Sequence, residues 1–97
     1  MLFVMVLKAH SETLHMRTIR RLHWEYPESL KIVGEYWLES DDPSAIVVLE
    51  AESMDMLSAC TMAWEDVMDI EVFQAITAEQ GLEALRQKML HSQKLRS

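Results

Sequence analysis

Two short stretches, residues 2–7 and 46–49, are apolar without a break, and they limit the folding options of this chain more than any other feature. A strand with one wet face alternates apolar and polar residues, so an unbroken apolar run marks a strand covered on both faces. Leu2-Phe3-Val4-Met5-Val6-Leu7 and Ile46-Val47-Val48-Leu49 therefore belong inside a sheet, with other strands at its edges.

Between the two runs, Ser11 is placed to cap a helix, with Glu12 near the positive end of its dipole. His15, Ile19, Leu22 and Tyr26 recur at helical spacing and define its expected buried face, while Arg17, Arg20 and Arg21 fall largely away from it. Pro27 is the expected stop. A second strand is predicted over 30–39, with Ile32, Gly34, Tyr36 and Leu38 on one side and Val33, Glu35, Trp37 and Glu39 on the other. Ser40-Asp41-Asp42-Pro43-Ser44 is a turn that makes 45–50 its hairpin partner.

Ser53 is the expected cap of a second helix running to about residue 63. Residues 69–76 alternate polar and apolar through most of their length and read as an edge strand. Thr77-Ala78-Glu79-Gln80 forms a capping box for a last helix, expected to bury Ala78, Leu82, Leu85 and Met89 and to fray from Ser92 onward.

The resulting order, β-α-β-β-α-β plus a C-terminal helix, is that of a ferredoxin-like α+β domain with a four-stranded antiparallel sheet. That topology puts the first and third strands in the centre, and they are the two strands apolar on both faces. Glu35, Glu39, Asp69 and Glu71 then fall on the edges, where charge discourages sheet-to-sheet pairing. Right-handed crossovers place the first two helices on one face of the sheet and leave the other face bare and apolar. A second copy is the expected cover, giving a homodimer; the competing cover is the last helix of the same chain.

The 97 residues make one domain, with an expected core over 1–90 and a tail over 91–97. A net charge of −7, with Lys and Arg mostly in two modest helical clusters, supplies no field for phosphate backbones, so no nucleic-acid partner is expected. The same acidity, and the shortness of the opening apolar run, argue against a membrane, a signal peptide or a span. Cys60 is the single cysteine, which excludes an intrachain disulfide and makes the cytoplasm the expected compartment.

Gly34-Glu35-Tyr36-Trp37 on the second strand, and Trp64-Glu65-Asp66-Val67-Met68-Asp69-Ile70-Glu71-Val72 leading into the fourth, carry a resemblance over residues 1–85. The chain resembles the dimeric α+β barrel superfamily and, within it, short prokaryotic proteins of unassigned function. That superfamily includes cofactor-free monooxygenases of quinone biosynthesis, haem-degrading enzymes, and stress-induced or ligand-binding proteins, with a pocket between sheet and helices. The resemblance implies the fold but no particular chemistry. The haem-degrading members use Asn, Trp and His together, and this sequence has no asparagine.

His15 and His23 would stand about 12 Å apart along one helix and about 80° apart around it, too far to share an ion, and no metal site is expected. His23, beside Leu22 and Tyr26, is read as a boundary histidine, with acid-base work as the sharper alternative. Tyr36, Trp37 and Trp64 are the aromatic candidates for an interface or for a pocket lining. Trp64 is expected to plug the end of the core, Trp24 to lie on the surface or at an interface, Glu35 and Glu71 to be solvated edge charges, and Cys60 to be a buried inert thiol. No phosphate loop, nucleophile elbow or dinucleotide fingerprint is present, so no cofactor is expected.

The expected function is therefore binding of a small, mostly apolar molecule by His23, Tyr36, Trp37 and Trp64. A cofactor-independent monooxygenase or isomerase in the same pocket is the alternative, and a structural module without ligand is a third.

Overall fold

The central strands of the sheet are the two doubly apolar segments. In the computed structural model, which describes the backbone of residues 1–96 and the side chains of residues 1–92, β1 (Leu2–Ala9), α1 (Leu14–Leu22), β2 (Lys31–Trp37), β3 (Ala45–Glu50), α2 (Ser58–Trp64), β4 (Met68–Ala75) and α3 (Ala78–Arg96) follow in that order. The strands form one antiparallel sheet in the order β2-β3-β1-β4. This is the ferredoxin-like α+β arrangement, with a C-terminal helix added.

One face of the sheet carries the core. Phe3, Met5 and Leu7 of β1 and Val47 and Leu49 of β3 point toward Leu57, Cys60 and Trp64 of the α2 region, and all are buried. A short 3-10 turn, Met54–Leu57, leads into α2, so the second helix starts later than Ser53 implies. The opposite face of the sheet presents Val4 and Val6 between Ile46 and Val48 on one side and Phe73 on the other. These residues are only partly covered, and Phe73 and Tyr36 are exposed.

β2 departs from strict alternation. Ile32 pairs with Leu49 and Gly34 with Val48, so Val33 is an extra residue in the ladder. The bulge turns Ile32 onto the core face, whereas alternation alone assigns it to the side of Gly34 and Tyr36. Glu35 and Trp37 beyond the bulge lie opposite Val47 and Ala45, which places them on the helix side of the sheet. On the other side Tyr36 folds back over Gly34, where a Cβ would fall 2.7 Å from the Tyr36 Cζ.

α1 differs most from the sequence reading. It begins at Leu14 after Glu12, which adopts a left-handed backbone with φ of 63°, and Thr13 rather than Ser11 precedes its first turn. It ends at Leu22, before Pro27, with the His23 and Trp24 amides donating to the carbonyls of Arg20 and Arg21. Its inward side is cationic: Arg17, Arg20 and Arg21 are partly buried, while Ile19 and Leu22 are exposed, Leu22 by 76%. The helix is tied down by guanidinium groups rather than by an apolar stripe. Arg20 grips Asp66 at 2.7 and 2.9 Å and donates to the Ala63 carbonyl at 2.8 Å, its guanidinium lying over the Trp64 ring, 5.4 Å from the centroid.

The capping box of α3 forms as the sequence predicts. The Thr77 amide donates to Gln80 Oε1 at 3.0 Å, and the Gln80 amide donates to Thr77 Oγ1 at 3.1 Å. The burial expected of Ala78, Leu82, Leu85 and Met89 does not occur within one chain, where all four are exposed. α3 projects from the domain, giving extents of 63 × 29 × 18 Å and a radius of gyration of 17.7 Å, against about 12.5 Å for a compact chain of this length. The helix continues to Arg96, past the expected fraying point, and Ser97 lies outside the described residues. Among the described residues no helix is long and apolar enough to cross a membrane.

Candidate functional site

A cavity of about 310 Å³ lies between the helix side of the sheet and α1. Its floor is apolar: Met5 and Leu7 of β1, Val47 of β3 and Ile70 of β4 are the pleated surface that the two central strands and β4 turn toward the helices. Leu14, Arg17, Thr18 and Arg21 of α1 form the roof. The inner end is closed by Trp24, Tyr26 and Trp64, and Trp37, Leu38 and Asp41 border it from β2 and the loop that follows. The volume sits at the small end of the range typical of ligand pockets.

The aromatic end is ordered by edge-to-face packing. Trp24 stands between Tyr26 and Trp64, with both ring centroids at 5.8 Å and interplanar angles of 77° and 81°. Trp64 is buried and plugs the core as the sequence implies, while Trp24, expected on the surface or at an interface, packs partly buried against the core because α1 stops early and lets the following segment dip toward the sheet. The Trp24 indole N–H is buried without an acceptor among the described residues.

Glu35 is the polar centre of the site. Arg21 donates Nε to Oε2 and a terminal nitrogen to Oε1, each at 2.9 Å; Tyr26 Oη donates to Oε1 at 2.7 Å; and Trp37 Nε1 donates to Oε2 at 2.8 Å. The Glu35 side chain is 17% exposed, so it is not the solvated edge charge that its position on β2 suggests. Burial opposes its ionisation, but the bonds from Arg21, Tyr26 and Trp37 outweigh that penalty and bring its carboxyl down to about 2. The same environment acts oppositely on its neighbours. Burial, then the hydrogen bond to Glu35, pushes the Tyr26 phenol up, above the usual tyrosine range. Burial and the Glu35 charge push the Cys60 thiol up to about 11. At neutral pH the cavity therefore presents a satisfied carboxylate, a protonated phenol and a protonated thiol.

Of the four residues singled out from the sequence, two border this cavity. Trp64 is at its closed end, and Trp37, 72% exposed, is at its rim. His23 follows the last turn of α1 with its side chain exposed, and Tyr36 points from the other face of the sheet, so neither lines the cavity. Arg17, Arg21, Trp24, Tyr26 and Glu35 were not named as pocket residues by sequence reasoning. The signal for Glu35 was present in its spacing from Trp37, since residues two apart on a strand share a face. Among the described residues no three His, Cys, Asp or Glu side chains converge as a metal site would require.

A second ionic cluster clamps the end of β1 to the α2–β4 connection. His10 Nε2 lies 2.8 Å from Asp69 Oδ1 and its Nδ1 lies 3.3 Å from the Asp66 carbonyl, next to the Arg20–Asp66 pair. The hydrogen bond to Asp69 raises the His10 pKa above its ordinary value.

No curated protein and no solved structure matches this chain. One family model does, spanning residues 1–89, almost the full length that carries the sheet, the cavity and the start of α3, and the chain accordingly belongs to the family described as a domain of unknown function, DUF3303.

Proposed function

We propose that this protein binds a small, mostly apolar molecule in the cavity between its sheet and α1, and that it does so as a homodimer of the dimeric α+β barrel type. The observation that carries the binding reading is the combination of an apolar floor, a wall of Trp24, Tyr26 and Trp64, and one internally satisfied polar cluster at Glu35. That is the composition of a ligand pocket. A filled interior would instead favour a module whose only role is its sheet face. The protonation states disfavour the oxygenase or isomerase alternative, because Glu35 is far too acidic, and Tyr26 and Cys60 too reluctant to ionise, to serve as a base near neutral pH.

Dimerisation is supported by what one chain leaves uncovered. The outer face of β1 and β3 is apolar, α3 does not fold back over it, and Leu82, Leu85 and Met89 of α3 lack a surface to bury against. A second copy offers a matching face to each, with two-fold symmetry satisfying both chains at once. The buried free thiol of Cys60 fits a cytoplasmic setting.

Thermal-shift screening of the full chain against hydrophobic metabolites and quinones tests the binding reading. Stabilisation that is lost on filling the cavity with Val47→Trp is the expected result, and a well-folded protein that no compound shifts counts against it.

A further inference from the structure

We infer that the ligand of this cavity is an anion, an apolar molecule bearing a carboxylate that is received by Arg17; this rests on the binding reading above and specifies its ligand class. Four ionised side chains border the cavity: Arg17, Arg21, Glu35 and Asp41. Arg21 and Glu35 cancel one another in a bidentate pair whose oxygens are further occupied by Tyr26 and Trp37. Neither has charge to offer a ligand.

Arg17 differs from the other two arginines of α1. Arg20 is committed to Asp66 and Arg21 to Glu35, but among the described residues no carboxylate pairs with Arg17. Its Nε donates to Thr13 Oγ1 at 2.8 Å, and Thr13 in turn donates to the His10 carbonyl at 2.7 Å. This chain of bonds fixes the stem and leaves the two terminal nitrogens without a protein acceptor among the described residues. A guanidinium so held, partly buried on the roof above an apolar floor, offers two parallel donors spaced for a carboxylate. Its setting beside low-dielectric walls strengthens that attraction over what water allows.

Asp41 is the opposing charge. It is exposed on the loop after β2, borders both this cavity and the adjoining groove with Arg17, and makes no ion pair among the described residues. Solvent screens it more than it screens Arg17, so the net preference is for an anion, reduced by Asp41.

The test uses matched pairs of aryl and alkyl carboxylates and their neutral primary amides, titrated calorimetrically against the full-length protein and against Arg17→Gln, Arg17→Lys and Asp41→Asn variants, each checked for an unchanged urea midpoint. The expected result is a carboxylate affinity about tenfold above that of its amide. That ratio should fall to within about twofold in Arg17→Gln, be partly kept in Arg17→Lys, and widen in Asp41→Asn, with amide affinity changing less than carboxylate affinity in each. Equal binding of acid and amide, or a preference that survives Arg17→Gln, overturns the inference and leaves the apolar pocket standing. Failure of acids and amides alike overturns the pocket reading and the inference together.

Discussion

Arg21 and Glu35, fourteen positions apart in the chain, meet as a two-bonded guanidinium–carboxylate pair with both bonds at 2.9 Å. The pair joins the last turn of α1 to an edge strand. It stands where the sequence suggests only an outward-facing charge on each element, and it fixes the height of the roof above the sheet.

Replacing Glu35 by Gln leaves Arg21 without its counter-charge at a partly buried position and deprives Tyr26 and Trp37 of an ionised acceptor. The expected cost is about 2–3 kcal/mol, read as a lower urea midpoint at pH 7. Tyr26→Phe, which removes one donor and strands no charge, should cost about 1 kcal/mol.

The same carboxylate makes stability depend on acid. Its folded pKa of about 2 lies below the ordinary 4.5, so the unfolded chain takes up the proton first. The stabilisation is complete above about pH 5 and fades as pH falls from 4.5 toward 2. The stability difference between the native protein and Glu35→Gln should therefore shrink from about 2–3 kcal/mol at pH 7 toward zero near pH 2, in parallel urea titrations.

Cys60 is buried and its thiol is pushed up to about 11, so at pH 8 only about a thousandth of it is thiolate. Native protein should react with a disulfide reagent only on the timescale of opening, and denatured protein within seconds. Rapid modification of the native protein at full stability would contradict this packing.

Charges placed on α3 should act on association and spare the domain. If the chain associates as proposed, Leu82→Glu with Leu85→Glu is expected to weaken that self-association by at least about tenfold in sedimentation velocity, with the strand signal in circular dichroism unchanged. Both side chains are exposed in the single chain, so loss of the monomer fold is not expected.

The sheet was legible because its rule is simple. β1 and β3 are apolar at successive positions, only a central strand tolerates that, and two such strands fix the order of all four. The capping box at Thr77 was equally readable, being local. The face of α1 was not. Ile19 and Leu22 satisfy helical periodicity, yet periodicity says only that a stripe exists and not that this chain buries it. Arg20 and Arg21 face inward because Asp66 and Glu35 await them, and those partners lie 46 and 14 residues away. Trp24 and Tyr26 entered the cavity because the helix ends at Leu22, earlier than Pro27 requires. The bulge at Val33 had one weak signal, the neighbouring Gly34, since a glycine inside a strand often marks a bulge. Trp37 and Trp64 stand out as large aromatics at element ends, whereas the Glu35 cluster needs α1, the segment after it and β2 brought together in space.

The missing side chain at residue 34 gives the Tyr36 ring a seat on the outer surface of β2. Alanine there would collide with the phenol and swing it away from the strand. A position with no atoms beyond its backbone thus sculpts the relief of that surface, and Gly34→Ala would reshape it through the displaced ring alone.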